Sequence, residues 1–125
     1  MFVYIYMLFI LEYCDIFQVI TNEANGYNIH TGAFTCPEGG LYLFTFSVGQ
    51  RGSNQVWAYL QVNGVNVIDA VSESMGSTDD DQGSNTVVLR LQIGDTVWIS
   101  GHDDHHIEGS ETFRITSFTG VYLYP

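Results

Sequence analysis

Two short segments concentrate the side chains that could bind a metal ion or move a proton. The first is the acidic run Asp79-Asp80-Asp81, in a stretch rich in Gly and Ser. Carboxylates on flexible loops supply the oxygen ligands that Ca²⁺ prefers, although the run lacks the ligand spacing of an EF-hand. Two interpretations stay open: a calcium site at Asp79, Asp80 and Asp81, or a solvated acidic loop.

The second segment, residues 102–108, carries three imidazoles and three carboxylates in the order HDDHHIE. Imidazole and carboxylate bind Zn²⁺ and other transition metals, but a cupin-type enzyme needs a His-x-His pair that is missing here. A loop of this composition changes its charge between about pH 5 and pH 8. A ligand-contact loop, a solvated loop and a metal site remain open. The residues concerned are His102, Asp103, Asp104, His105, His106 and Glu108.

The motifs of nucleophilic catalysis and phosphate binding are missing from the sequence. It has no Gly-x-Ser-x-Gly elbow, Walker motif or Cys-x-x-Cys pair. Arg51, Arg90 and Arg114 are isolated, so they form no basic patch. Trp57 and Trp98 could stack on a sugar, yet both fall in predicted strands, where core packing or a subunit contact is the alternative. We expect a binding protein and not an enzyme.

The composition indicates one acidic, folded domain. The 125 residues include 14 Asp+Glu and 3 Lys+Arg, a formal net charge of −11. This charge repels nucleic acids and anionic membranes and favours cations and basic or neutral ligands. Hydrophobic residues make up 46%, enough to bury a core. Cys14 and Cys36 are too few for a disulfide scaffold, and the sequence leaves open whether they are bridged.

The elements that must position these residues are short β-strands. After Gly26, no stretch free of Gly and Pro exceeds 11 residues, and the intervals are rich in β-branched and aromatic residues. Asn63-Gly64 is a strong hairpin signal. Residues 72–85 and 101–111 are predicted loops, and the fold class is an all-β, two-sheet antiparallel sandwich. The predicted strands are 16–20, 41–48, 55–63, 65–71, 86–93, 96–100, 112–116 and 118–124.

Strand faces differ in their hydrophobic pattern. Residues 87, 89, 91 and 93 alternate with more polar neighbours, which predicts one buried and one solvated face. Residues 41–46 and 56–60 are apolar on both faces. We interpret these two strands as covered by the second sheet on one side and by another subunit on the other.

Residues 1–11 form an unbroken apolar and aromatic run. It is too short to cross a bilayer core of about 30 Å as a helix. A secretory signal segment, a buried first strand and a misplaced start codon are the open interpretations. We accordingly divide the chain into an N-terminal segment, 1–15, and a globular domain, 16–125.

Three segments resemble, in order and spacing, the C1q-domain family, typified by the globular head of complement C1q. They are Tyr27-Asn28 with TGAFTCPEGGLYLF at 31–44, VLRLQIGDTVW at 88–98 and FTGVYLYP at 118–125. The resemblance covers residues 17–125, with two departures. Residues 1–15 lack the family's usual first-strand motif, so the apolar run substitutes for that strand or the domain is truncated. Cys36 stands where a small residue is usual. The matching motif and core positions are Gly32, Phe34, Pro37, Gly40, Tyr42, Phe44, Gly94, Asp95, Phe118, Gly120 and Pro125.

The resemblance implies a jelly roll of the C1q and tumour-necrosis-factor type that forms a secreted homotrimer. Residues 41–48 and 122–124 would contribute to the threefold interface. The implied function is lectin-like, innate-immune pattern recognition of microbial glycans or lipopolysaccharide. The alternative is a cytokine-like or structural trimer that binds a host receptor or matrix component.

The resemblance also bears on cofactors and on a stalk. Some C1q-type trimers carry calcium near the subunit axis, which here would involve the loop with residues 79–81. No other cofactor is expected. The chain contains no Gly-X-Y repeat, so we expect a short member without a collagen stalk.

Overall fold

Antiparallel strands account for most of the chain that the computed structural model describes, which is residues 8–11, 14–50, 55–73, 81–101 and 116–125. A 3-10 turn, Glu23–Asn25, lies between the second and third strands. Within the described ranges no helix has the length and hydropathy of a membrane span. The strands are β1 Leu8–Leu11, β2 Cys14–Val19, β3 Tyr27–Asn28, β4 Ala33–Thr35, β5 Gly40–Gln50, β6 Gln55–Val62, β7 Val65–Glu73, β8 Asp81–Leu91, β9 Thr96–Gly101 and β10 Ser117–Tyr124.

The strands form two main sheets and a hairpin. One sheet has the order β3-β4-β9-β6-β7 and the other has the order β10-β5-β8. The β1-β2 hairpin lies beside β10. Every pairing is antiparallel, and strands distant in the chain are neighbours in both sheets. The predicted all-β, two-sheet antiparallel jelly roll is confirmed.

Side chains that alternate along the strands build the core. In β5, Tyr42, Phe44, Phe46 and Val48 are buried, while the intervening residues point to the other face of the sheet. The five-stranded sheet contributes an equivalent set from β6 and β9. These residues are Val56, Ala58, Leu60 and Val97.

The Asn63-Gly64 hairpin is confirmed. Val62 pairs with Val65, so the loop has two residues. Asn63 has φ 51° and Gly64 has φ 87°, the left-handed conformation that a type I′ turn requires at both positions.

The predicted loop at 72–85 is wrong at both ends. Residues 72 and 73 complete β7, and residues 81–85 begin β8. All eleven residues of β8 pair in register with β5, so the ladder outweighs the low strand propensity of Asp81, Gly83 and Asn85. Ile93 was expected on the buried face but is 75% exposed, because β8 ends at Leu91 and Ile93 lies in the following turn.

The structure describes the predicted strands near the chain ends only in part. The strand predicted at 16–20 is β2, Cys14–Val19, and Leu8–Leu11 of the apolar run forms β1. Residues 1–7 lie outside the described part, as do residues 112–115 of the predicted strand 112–116.

The edge strands β7 and β8 belong to different sheets and contact each other along one side of the sandwich. Asn85 Nδ2 donates to the Asp69 carbonyl oxygen at 2.8 Å. A Cβ added to Gly83 would overlap the Val71 carbonyl group. Only glycine therefore allows this close backbone approach between the sheets.

Candidate functional site

The two predicted ligand-binding segments fall mainly outside the described residues. His102, Asp103, Asp104, His105, His106 and Glu108 all lie there, and so do Asp79 and Asp80. Asp81 is described: it is exposed at the start of β8, and its Oδ2 accepts the Glu73 N–H at 3.3 Å. In the described ranges, no group of three or more His, Cys, Asp or Glu could hold a metal.

The strand ends that flank these segments lie at one end of the sandwich. Asp81 pairs with Gln50, and Glu73 pairs with Gln55. The hydrogen bond from Glu73 N to Asp81 links the two pairs, and the Gly49 N–H donates to Thr116 Oγ1 at 3.1 Å. The topology therefore attaches both predicted segments at this end of the body.

The aromatic motif residues form the centre of the core. Phe34 meets Tyr42 and Phe44 edge to face, with ring centroids 5.6 Å apart in both pairs. Phe44 stacks on Phe118 at 5.7 Å with an interplanar angle of 7°. These geometries are favourable for aromatic pairs. The four rings are at most 2% exposed, so they support the fold and do not reach a ligand.

The Pro37–Gly40 turn is held by partly buried hydrogen bonds. The Tyr42 hydroxyl donates to the Glu38 carbonyl oxygen at 2.6 Å. Cys36 is a buried free thiol that donates to the same oxygen at 3.1 Å. Burial raises the pKa of the Cys36 thiol. Cys36 thus lies buried in this turn as a hydrogen-bonded thiol, and Pro37 lies exposed beside it.

A second hydrogen-bonded turn lies nearby at Gly94-Asp95. Gly94 has φ 90°, and its N–H donates to the Cys36 carbonyl oxygen at 2.9 Å. Asp95 Oδ2 accepts the Gln92 N–H at 2.8 Å, and Oδ1 accepts Asn63 Nδ2 at 3.0 Å. These two bonds, the Gln92 bond first, hold the pKa of Asp95 below its ordinary value.

The remaining motif positions are also structural. Gly32 has φ 72° in the turn before β4. Gly120 is buried in β10 opposite Phe44, and Pro125 is exposed after β10. None of the three carries a side chain that could bind or react with a substrate.

The outer face of the β10-β5-β8 sheet carries three rows of matching residues. Val121, Leu43 and Val88 lie side by side across the three strands. The next row is threonine and the one beyond it is serine, towards the end that bears the predicted segments. We call this surface the row face: Val121, Leu43 and Val88; Thr119, Thr45 and Thr86; Ser117, Ser47 and Ser84.

Hydroxyl contacts connect neighbouring strands in these rows. Thr86 Oγ1 donates to Thr45 Oγ1 at 3.0 Å, and Ser47 Oγ lies 3.1 Å from Ser117 Oγ. Val88 remains 49% exposed in the apolar row. Sequence reasoning anticipated a covered outer face on β5 but missed the rows, because they appear only once the register of three strands is known.

Both tryptophans lie on the outer face of the other sheet. Trp57 is 39% exposed and pairs with Val71, while Trp98 is half-buried and pairs with Gln61. The expected alternative of core packing is therefore wrong for Trp57.

The comparisons with known proteins agree with this architecture. Residues 14–123 match the sequence profile of the C1q domain, which confirms the resemblance carried by the three segments. Complement C1q and tumor necrosis factor-related protein 9 of Mus musculus is 35% identical over 109 residues. Complement C1q tumor necrosis factor-related protein 3 of Homo sapiens is 35% identical over 113 residues.

The extent of these matches differs between the comparisons. Both alignments cover 86% of this chain, which spans 32% of the mouse protein and 43% of the human one. The chain thus spans less than half the length of these relatives. The globular domain of a zebrafish complement 1qA protein superposes with a TM-score of 0.75 at 20% identity, covering 98% of each chain, and shows the same fold.

Proposed function

The chain belongs to the C1q domain family, and from this premise we propose that it is a secreted, non-catalytic recognition module that acts as a homotrimer. The ligand class we propose is microbial carbohydrate, as a glycan or as lipopolysaccharide, in innate-immune pattern recognition. The acidic charge of −11 supports a partner other than nucleic acid or an anionic membrane.

The row face carries the trimer proposal. In a single chain, Val88 is 49% exposed, and Leu43 and Val121 beside it are only half-buried. Apolar side chains adjacent across three strands gain free energy when another surface removes them from water. The threonine and serine rows add hydrogen-bonding groups to the same face. A face of mixed apolar and hydroxyl character suits the interface of a closed ring of identical subunits.

A trimer would also raise the overall affinity of a binding site that is weak in one chain. Three copies related by a threefold axis would bring the same end of each sandwich close together. That end, which carries the strand ends Glu73, Asp81 and Gly101, would then face a repetitive surface such as a microbial glycan layer. Several weak contacts made together give a tight overall attachment.

The test is the native mass of the full chain and of one face variant, measured by size exclusion with light scattering. We expect the wild type at three times the 14.0 kDa chain mass. Leu43→Glu would place a charge in the middle of the apolar row and should give a monomer with unchanged circular dichroism. Ile93→Glu is the control, because Ile93 is 75% exposed on a turn away from the row face. A monomeric wild type, or a trimeric Leu43→Glu variant, would contradict the proposal.

A second candidate is a cytokine-like or extracellular structural trimer that binds a host receptor or a matrix component. Its support is the 35% identity with proteins named as tumor necrosis factor-related. Binding to microbial cells that free sugar blocks would favour carbohydrate recognition. Saturable binding to host cells that sugar does not block would favour this second candidate.

A further inference from the structure

We propose that the outer face of the five-stranded sheet is a carbohydrate-binding platform for an uncharged oligosaccharide. We call it the tryptophan face. It consists of Trp57, Tyr59, Gln61, Asp69, Val71 and Trp98. The proposal deepens the proposed function, since it names the surface and narrows its ligand to uncharged glycans, which leaves phosphorylated lipopolysaccharide outside this platform. It rests on the proposed function only for the biological role.

The strand register brings these side chains together. Trp57 and Tyr59 are two residues apart in β6, so they lie on one face about 7 Å apart. Trp57 pairs with Val71, and Tyr59 pairs with Asp69 on one side and Ser100 on the other. Neighbouring strands lie about 5 Å apart, so the group makes a continuous surface of the size of two or three sugar rings.

The aromatic rings are available without rearrangement of the core. Trp57 is 39% exposed and Val71 beside it is 40% exposed, while Tyr59 and Trp98 are half-buried. A half-buried ring is fixed by its neighbours and still presents one surface to solvent. Such a surface can cover the apolar C–H face of a pyranose, with its hydroxyl groups directed to polar side chains at the edge.

A chain of hydrogen bonds orients the polar groups between the rings. Ser100 Oγ donates to Gln61 Oε1 at 2.9 Å, and Gln61 Nε2 donates to Asn66 Oδ1 at 2.7 Å. These bonds fix the Gln61 carboxamide between Ser100 of β9 and Asn66 of β7, and Trp98 is the strand partner of Gln61 in β9. An amide held in this way loses little conformational entropy when it binds a sugar hydroxyl.

The charge of the face selects the kind of glycan. Asp69 lies in the platform and Glu73 lies at its edge, and the described residues of this face include no Lys or Arg. In a chain of net charge −11, this arrangement repels sulfated, sialylated and phosphorylated sugars. An uncharged oligosaccharide avoids this repulsion, and the carboxylate of Asp69 can accept hydrogen bonds from its hydroxyl groups.

The tryptophan face is separate from the proposed trimer interface. The row face belongs to the three-stranded sheet and the tryptophan face to the five-stranded sheet, with the core between them. A trimer formed through the row face would therefore leave three platforms open to solvent.

Intrinsic fluorescence tests the proposal directly, because both tryptophans of the chain lie on this face. The full chain is titrated with chitotetraose and mannotetraose, and separately with a heparin tetrasaccharide and tetralysine. We expect a saturable change in tryptophan emission with one of the uncharged tetrasaccharides and none with heparin. Trp57→Ala should weaken that binding about tenfold, Trp57→Phe should retain most of it, and Ile93→Ala should leave it unchanged.

The outcomes separate this proposal from the proposed function. A change in emission with tetralysine alone would overturn the platform in favour of a site for basic peptides. Glycan-dependent binding to microbial cells that Trp57→Ala does not weaken would overturn the platform and leave the proposed function standing. An uncharged tetrasaccharide bound by a monomeric wild type would support the platform and contradict the trimer.

Discussion

At the residue scale, two adjacent glycines at the start of β5 have different surroundings. An ideal Cβ on Gly40 would lie 2.6 Å from Tyr122 Cε2 and 2.6 Å from the Tyr124 carbonyl oxygen. An ideal Cβ on Gly39 would lie 3.5 Å from its nearest neighbour, the Leu91 carbonyl oxygen, which is an ordinary contact. The family motif thus contains one glycine required for space and one that is not.

We therefore predict that Gly40→Ala lowers the free energy of unfolding by about 1–3 kcal/mol, because the methyl group must displace a buried ring and a backbone carbonyl. Gly39→Ala should change it by less than about 0.5 kcal/mol. Urea denaturation of both variants beside the wild type measures the difference. Equal effects of the two substitutions would show that the β5–β10 contact is looser than the structure shows.

At the element scale, the Asn63-Asp95 pair ties two turns together. Asp95 closes the β8–β9 turn through the Gln92 N–H, and Asn63 belongs to the β6–β7 hairpin. Asn63 Oδ1 also accepts the Thr96 N–H at 2.9 Å. The tip of the β6–β7 hairpin is therefore hydrogen-bonded to the β8–β9 turn. The chain passes from the three-stranded to the five-stranded sheet through this turn.

The hydrogen bonds to the Asp95 carboxylate should make the stability of the fold depend on pH under acidic conditions. The pKa of Asp95 in the folded chain is below its ordinary value of 3.8. Its stabilising contribution is therefore fully present above that value and is lost as the pH falls through the folded-state pKa. Asp95→Asn removes the titrating group, so we expect its thermal midpoint to fall less than that of the wild type between about pH 4 and pH 2.

The control for this experiment is Val65→Ala, which shortens an exposed side chain of the β6–β7 hairpin and removes no titrating group. Its midpoint should fall with pH as steeply as that of the wild type. Parallel pH profiles for Asp95→Asn and the wild type would show that the two bonds to the Asp95 carboxylate do not stabilise the fold.

At the scale of the whole molecule, the negative net charge opposes assembly of the proposed trimer. Three chains of charge −11 repel one another, and this repulsion opposes a trimer. Cations bound at the end of the sandwich that carries Glu73 and Asp81 would offset this repulsion between the three chains. Asp81 and the residues before it are attached at that end, so we propose calcium bound by Asp79, Asp80 and Asp81 as a second feature of the assembly.

Calcium should then raise the thermal midpoint, since a ligand that binds only the native state stabilises it by mass action. We predict that chelation lowers the midpoint of the wild type and that a double variant, Asp79→Asn with Asp80→Asn, no longer responds to calcium. Differential scanning fluorimetry with calcium and with a chelator measures both. Equal midpoints for the wild type in the two buffers would indicate a solvated acidic loop instead.

The core positions Tyr42 and Phe44 came from the family motif, whereas local information in the chain was enough for the strand class and the Asn63-Gly64 hairpin. Each of these depends on neighbours within a few residues, such as a turn that tolerates positive φ or a side-chain period of two. The same local rules misjudged residues 81–85, where pairing with β5 supplies strand structure that the residue types do not favour. The charged segment 102–108 was found from composition alone, and its role stays a prediction.

Only the tertiary structure decided which residues share a surface. Val121, Leu43 and Val88 form a row because strands far apart in the chain pair in one register. Trp57 and Trp98 lie on the same outer face for the same reason. A strand presents its side chains alternately to two faces, and sequence shows the alternation but not what covers each face. That choice depends on packing between sheets, which is a property of the whole folded chain.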